Sequence, residues 1–215
     1  MTDIGIKERV LDVAERLFAG TGLMQTSVRD ITSAAGVHLA AVNYHFASKE
    51  GLIRAVIARR AEPLNRERLH LLEAYEVEAG DAPVPLERIL HAFFAPSIQH
   101  CLQHPDFMRL AGRILFEPDT ELHRVFLSHF VDVFHRFKSA LMRGPLHDVP
   151  ECEVLWRMHF LIGAMIHTWA NRSDLEWLSG GLCTLANEQE MIDRLIAFCA
   201  AGLRASVSSE AGVKA

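Results

Sequence analysis

Residues 26–52 read TSVRDITSAAGVHLAAVNYHFASKEGL, and the pattern in this stretch decides the fold. Ser27 is placed to cap a helix, and Asp30, three residues on, can reach back in a capping-box-like arrangement. Val28, Ile31 and either Ala34 or Ala35 then share one helical face. The small alanines let a second helix cross closely, and Gly36 supplies a turn that a residue with a Cβ tolerates poorly. From Val37 a second short helix is expected, apolar at Val37, Ala41 and Val42 and polar or amphipathic at His38, Asn43, Tyr44 and His45. Phe46 closes it as a core anchor, and Ser48 is a second N-cap candidate with Lys49 in the following turn. This is the layout of a helix-turn-helix, which lays one helix across the DNA backbone and the next in the major groove.

Working outward, Ile6, Val10, Val13, Ala14, Leu17 and Phe18 recur at a helical repeat, so an amphipathic helix is expected over about residues 4–19, ended by Gly20 and Gly22. Three helices in roughly 46 residues make a compact head. The net charge of −5 argues against a polyanionic partner until its distribution is read. Residues 1–60 hold eight Lys or Arg and six Asp or Glu, whereas the rest of the chain holds 14 and 21. The basic excess therefore lies in the head, where a DNA surface needs it. Tyr44 reads equally well as core filler or as a surface contact, and a single lysine such as Lys49 is most often simply solvated.

The spaced residues Ala14, Leu17, Phe18, Gly22, Thr26, Ser27, Ile31, Ala35, Gly36, Val37, Tyr44, His45, Phe46, Lys49 and Leu52 resemble the TetR family of one-component regulators. Tyr44-His45-Phe46 followed by Ser48-Lys49-Glu50 is close to the family signature, which covers about residues 6–57. The resemblance implies an all-α protein with a three-helix helix-turn-helix domain at residues 1–47. A helical regulatory and dimerisation domain follows at residues 48–205. It implies a ligand-responsive DNA-binding transcriptional regulator, most often a repressor, released from a palindromic operator by its effector. Thr26, Ser27, Tyr44, His45 and Lys49 fall where such proteins touch phosphates, and they offer suitable hydroxyl, phenol, imidazole and ammonium donors. His38, Leu39, Ala40 and Asn43 fall where base edges are read; Asn can pair with adenine, and Ala or Leu can meet a thymine methyl. One departure is the entry to the recognition helix. His38-Leu39-Ala40-Ala41 stands where many members carry glycine or a small polar residue. The segment from Leu39 to Phe46 is similar instead to a fatty-acid-responsive subgroup, as are Phe107-Met108-Arg109-Leu110 and Trp156-Arg157-Met158-His159-Phe160.

Beyond Ser48 the pattern is helical almost throughout. Helices are expected at about 85–103, 105–116, 119–142, 151–171 and 188–205, separated by Pro105, Pro118, Pro150, Gly144-Pro145 and Gly180-Gly181. Pro63 is expected to interrupt or kink the helix that begins at Ser48, near the junction with the regulatory domain. Leu155 to Trp169 is apolar nearly all round, which calls for burial on every side. With Ile192, Leu195, Ile196, Phe198, Cys199 and Leu203 it suggests a homodimer through the helices near 151–171 and 188–205. Phe93, Phe107, Phe116, Phe130, Trp156 and Phe160 permit an apolar ligand cavity, and Arg109 and His159 could meet a polar head group. A fatty acid or acyl-thioester is the effector expected. Residues 206–215 are small and polar, and read as a flexible tail.

Other classes find little support. There is no signal peptide and no apolar run long enough for a membrane, so a cytoplasmic location is expected. Cys101, Cys152, Cys183 and Cys199 form no C-x-x-C pair. His100 and His104 are spaced i, i+4 but lack a third ligand of compatible spacing, so no metal and no cofactor are expected. No Gly-x-Ser-x-Gly elbow, phosphate loop or H-E-x-x-H motif suggests an enzyme. The rival reading is a helical carrier of acyl chains, which would share the apolar pocket but has no use for the Tyr44-to-Lys49 head.

Overall fold

The computed structural model describes residues 3–116, 121–184 and 187–206, and among them every regular element is an α-helix. They are α1 (Asp3–Gly20), α2 (Val28–Ala35), α3 (Leu39–Phe46), α4 (Lys49–Ala79), α5 (Leu86–Gln103) and α6 (Pro105–Phe116). Then follow α7 (Glu121–Ser128), α8 (Val131–Arg143), α9 (Glu151–Ala170), α10 (Arg172–Leu178) and α11 (Glu188–Leu203). The chain divides into two compact units, residues 1–66 with 100–131 and residues 67–99 with 132–215.

In the first unit, Val10, Ala14 and Phe18 of α1 meet Ile31 of α2, Val42 and Phe46 of α3, and Leu52, Val56 and Ile57 of α4. Phe107, Leu110 and Ile114 of α6 and Phe126 of α7 belong to the same core, and α6 packs along α1. The first half of α4 and residues 100–131 thus share the interior of the three N-terminal helices. A buried polar joint fastens α1 to α4. The Glu15 carboxylate accepts from Arg59 Nη2 at 2.5 Å and from Arg60 Nε at 3.0 Å, and Arg59 Nη1 also reaches Asp12 at 2.7 Å. On α6, the Arg113 guanidinium donates to the Gly20 carbonyl at 3.0 Å and so takes up one of the unpaired acceptors at the end of α1.

His104 lies 3.3 Å from Arg60 at this joint. Burial, then the Arg60 charge, hold its pKa below the ordinary histidine value. The unfolded chain therefore takes up this proton first as pH falls, so stability drops as pH goes down through about 6.5. A His104→Gln variant is expected to show a shallower fall in thermal midpoint than wild type between about pH 7.5 and 5.5. Equal slopes would remove His104 from this account.

In the second unit, Leu86, Leu90, Phe93 and Phe94 of α5 pack with Phe137 and Leu141 of α8, Val154 and Met158 of α9, and Ile192 and Ile196 of α11. Arg68 is buried with its guanidinium 4.3 Å above the Phe93 ring, and it donates to Ser97 Oγ and the Phe93 carbonyl. Arg157 is buried on α9, where it pairs with Glu153 and donates to the Leu203 carbonyl at 2.5 Å, capping α11.

Three expectations change. The described part of the helix expected over 119–142 is two helices, α7 and α8. After Ser128 the Asn65 side-chain amide donates to the His129 carbonyl at 2.6 Å, and a turn over His129 and Phe130 redirects the chain. Pro63 does not interrupt α4, which runs unbroken from Lys49 to Ala79. It sits on the exposed side, where water can meet the carbonyl its missing N–H leaves open. The chain after Asn171 forms α10, a helix that the glycine pair at 180–181 had concealed. Pro118 and residues 207–215 lie outside the described residues.

Candidate nucleic-acid interface

The geometry of the head is set by caps. Ser27 Oγ accepts from the Asp30 N–H at 3.2 Å, while Asp30 Oδ2 accepts from the Ser27 N–H at 2.8 Å and the Ser27 hydroxyl at 2.7 Å. These bonds from the Ser27 hydroxyl, then its N–H, hold the Asp30 carboxyl below its ordinary pKa. Gly36 closes α2 in the left-handed region at φ 63, and the Val37 N–H bonds the Thr32 carbonyl at 3.0 Å. That combination is a Schellman ending, which reverses the chain within two residues. His38 then stands at the N-cap of α3 with its side chain making no capping bond.

The second helix begins at Leu39, two residues later than its apolar pattern suggested. At 3.6 residues per turn, Leu39, Asn43, Ala40 and Tyr44 span an arc of about 140°. All four are exposed, as is His38, while Val42 and Phe46 of the same helix enter the core. Tyr44 is 79% exposed, which settles its ambiguity in favour of the surface. Its ring meets the half-buried His45 edge-on, 5.1 Å between centroids. Lys49 opens α4, and its Nζ lies 3.5 Å from the Met24 carbonyl. The outward arc of α3 thus carries amide, phenol and methyl groups, and the His38 imidazole stands at its N-cap.

Thr26 departs from its expected place. It is 2% exposed, and its hydroxyl donates to the Gly22 carbonyl at 2.7 Å, so it fastens the turn after α1 instead of facing outward. Ser27 is exposed, but its hydroxyl belongs to the capping box. Two positions of structural weight carried no sequence signal for this role. Ala47, directly after α3, has φ 61. Gly51, in the first turn of α4, faces Phe46 so closely that a Cβ there would lie 2.0 Å from the Phe46 carbonyl oxygen.

The expected ligand-pocket residues are divided between the two units. Phe93 is in the core of the second unit, edge-on to Phe137 at 5.1 Å. Phe107 and Phe130 pack against Phe126 in the first unit. Arg109 is exposed and paired with Asp106 at 2.6 Å. The Phe116 side chain lies outside the described residues. Trp156, His159 and Phe160 point outward from α9, with Trp156 and Phe160 stacked at 5.8 Å. Their i, i+3, i+4 spacing puts them on one face, and Val154, Met158, Leu161 and Met165 take the core face. Phe160, Phe198 and Leu161 line a shallow apolar groove of about 340 Å³ between α9 and α11, with Arg157 at its edge.

No disulfide joins the four cysteines; Cys101 and Cys199 are buried, and burial pushes the Cys199 thiol up to about 11. His100 and His104 stack edge-on at 4.5 Å, and no group of three potential metal ligands occurs among the described residues. No described helix is long and apolar enough to cross a membrane.

Comparison with known proteins places these features. The model for bacterial regulatory proteins of the tetR family matches residues 10–56, and that for the tetracyclin repressor-like C-terminal domain matches residues 91–202. The HTH-type transcriptional repressor KstR2 of Rhodococcus jostii is 42% identical over 53 residues, 25% of this chain and 26% of the relative. KstR2 of Mycobacterium tuberculosis is 30% identical over 134 residues, 59% of this chain and 64% of the relative. The chain thus spans less than two thirds of the curated relatives it matches. The fatty acid degradation regulator FadR of Bacillus halodurans superposes with TM-score 0.67 at 15% identity, covering 94% of this chain and 97% of that one.

Proposed function

This chain belongs to the tetR family of bacterial regulatory proteins, and from that premise we propose that it is a homodimeric, cytoplasmic transcriptional repressor that reads a palindromic operator and is released by an apolar effector. One observation carries the DNA reading: the outward arc of Leu39, Ala40, Asn43 and Tyr44, with exposed His38 at its N-cap, on a helix that follows the capping box and the Gly36 turn. In this reading residues 1–47 are the reading head and residues 48–205 serve regulation and dimerisation. Leu39, Ala40 and Asn43 meet base edges, and Tyr44, His45 and Lys49 meet phosphates.

Duplexes selected from a random library by the purified protein should contain a dyad with half-sites about one helical turn apart. Binding should weaken steeply with salt, and Lys49→Ala should lower affinity for all duplexes alike and reduce the salt slope by about one. Asn43→Ala should instead relax preference at one base-pair position, at a cost of about 1–3 kcal/mol. A protein that enriches no duplex but retains acyl chains would be a carrier.

The homodimer is proposed through α9 and α11, whose outer faces leave Trp156 55%, Phe160 64% and Phe198 72% exposed in the single chain. So large an apolar face marks a surface that a partner covers. For the effector we propose a fatty acid or acyl-thioester. The fold shared with FadR and the apolar interior of each unit support that class. Such a ligand shifts DNA binding only through unequal affinity for two conformations. Native mass spectrometry of protein purified under mild conditions would show a retained acyl compound; delipidated protein that binds none would exclude the class.

A further inference from the structure

We propose that Ala47 is a positioning residue for operator reading, holding the recognition helix at its working angle through a strained one-residue turn; this rests on the DNA-reading function above. Helix α3 ends with the Ala47 N–H bonded to the Asn43 carbonyl at 3.0 Å, and the Ser48 N–H then turns back to the Phe46 carbonyl at 2.7 Å. With φ 61 and ψ −42 at Ala47 between those two groups, the connection is a γ-turn of the rare, strained hand. Ala47 has the only positive φ among the described non-glycine residues.

The surroundings fix this turn from both sides. Ser48 is already the cap of α4, its Oγ accepting from the Gly51 N–H at 3.1 Å and its carbonyl from the Leu52 N–H at 3.0 Å. Gly51 presses on the Phe46 carbonyl so tightly that no side chain fits there. The Phe46 ring is anchored in the core. A single residue therefore separates the last turn of α3 from a cap that is itself immobilised, and its two dihedrals set the angle between α3 and α4. A strained conformation of this kind persists only where its neighbours over-determine it, and such places cluster at functional sites. An alanine serves here because its Cβ narrows the accessible well; glycine would remove the strain and also the definition of the angle.

The test is Ala47→Gly, which cannot clash and suits a positive φ. If Ala47 were merely structural, glycine would raise stability and leave binding unchanged. The proposal expects the two to move in opposite directions. The thermal midpoint should rise, while affinity for a library-selected palindromic duplex falls about tenfold and affinity for a scrambled duplex stays within about twofold. Amide exchange over residues 39–46 should quicken in the DNA-free variant. Gly51→Ala, which drives a methyl into the Phe46 carbonyl, should lower both stability and operator affinity. Operator affinity of Ala47→Gly within about twofold of wild type would overturn the proposal. A lower midpoint in that variant would overturn it too, because the turn would then hold no strain to relieve. A wild-type protein that prefers no palindrome would fail at the earlier step, and would overturn the DNA reading itself.

Discussion

A chain carrying both Phe160→Glu and Phe198→Glu is expected to remain helical, become monomeric, and lose operator affinity by at least about 100-fold, the range over which linking two binding modules gains avidity. Both side chains point outward in the single chain, so the substitutions cost the protomer little. In a dimer they would bury unpaired carboxylates, which proteins avoid because desolvating a charge is expensive. Light scattering at micromolar concentration and fluorescence anisotropy with the selected duplex measure the two halves of this expectation. A variant that stays dimeric and binds normally would place the interface elsewhere. A variant that is monomeric yet binds with full affinity would remove the need for paired heads.

The second large effect is on stability. Glu15→Gln removes the charge that Arg59 and Arg60 share between α1 and α4. Removing one partner of a buried pair costs about 3–5 kcal/mol. Here Arg59 keeps Asp12 and both guanidiniums reach solvent in part, so a loss of about 2 kcal/mol is expected. Urea unfolding at neutral pH, read by far-ultraviolet circular dichroism, would show it as an earlier midpoint at unchanged slope. A change below about 0.5 kcal/mol would mean that the joint adds nothing over an uncharged contact.

What the sequence disclosed follows the range over which each interaction acts. The Ser27–Asp30 capping box and the Gly36 turn depend on residues within a few positions of one another, and both were legible. The split between α7 and α8 depends on Asn65, 64 residues away from the carbonyl it holds, and no local pattern announces it. Thr26 illustrates the same limit from the other side. Its hydroxyl suits a phosphate as chemistry, but packing turned it toward the Gly22 carbonyl. The aromatics of α9 meet a related limit. Helical spacing can say that Trp156, His159 and Phe160 share a face, but not whether that face turns inward, and Met158 and Leu161 took the core instead. Ala47 was invisible because alanine carries no preference for the backbone it adopts here.

The core shared by α1 to α4 with residues 100–131 bears on how this protein could be re-engineered. A chimera cut at residue 47 would carry α1 to α3 away from Phe107, Leu110, Ile114 and Phe126, which belong to the same core as Val10 and Phe18. The compact unit is discontinuous, residues 1–66 together with 100–131. If α3 reads the operator as proposed, new specificities are better installed by recoding its outward positions than by exchanging heads between relatives.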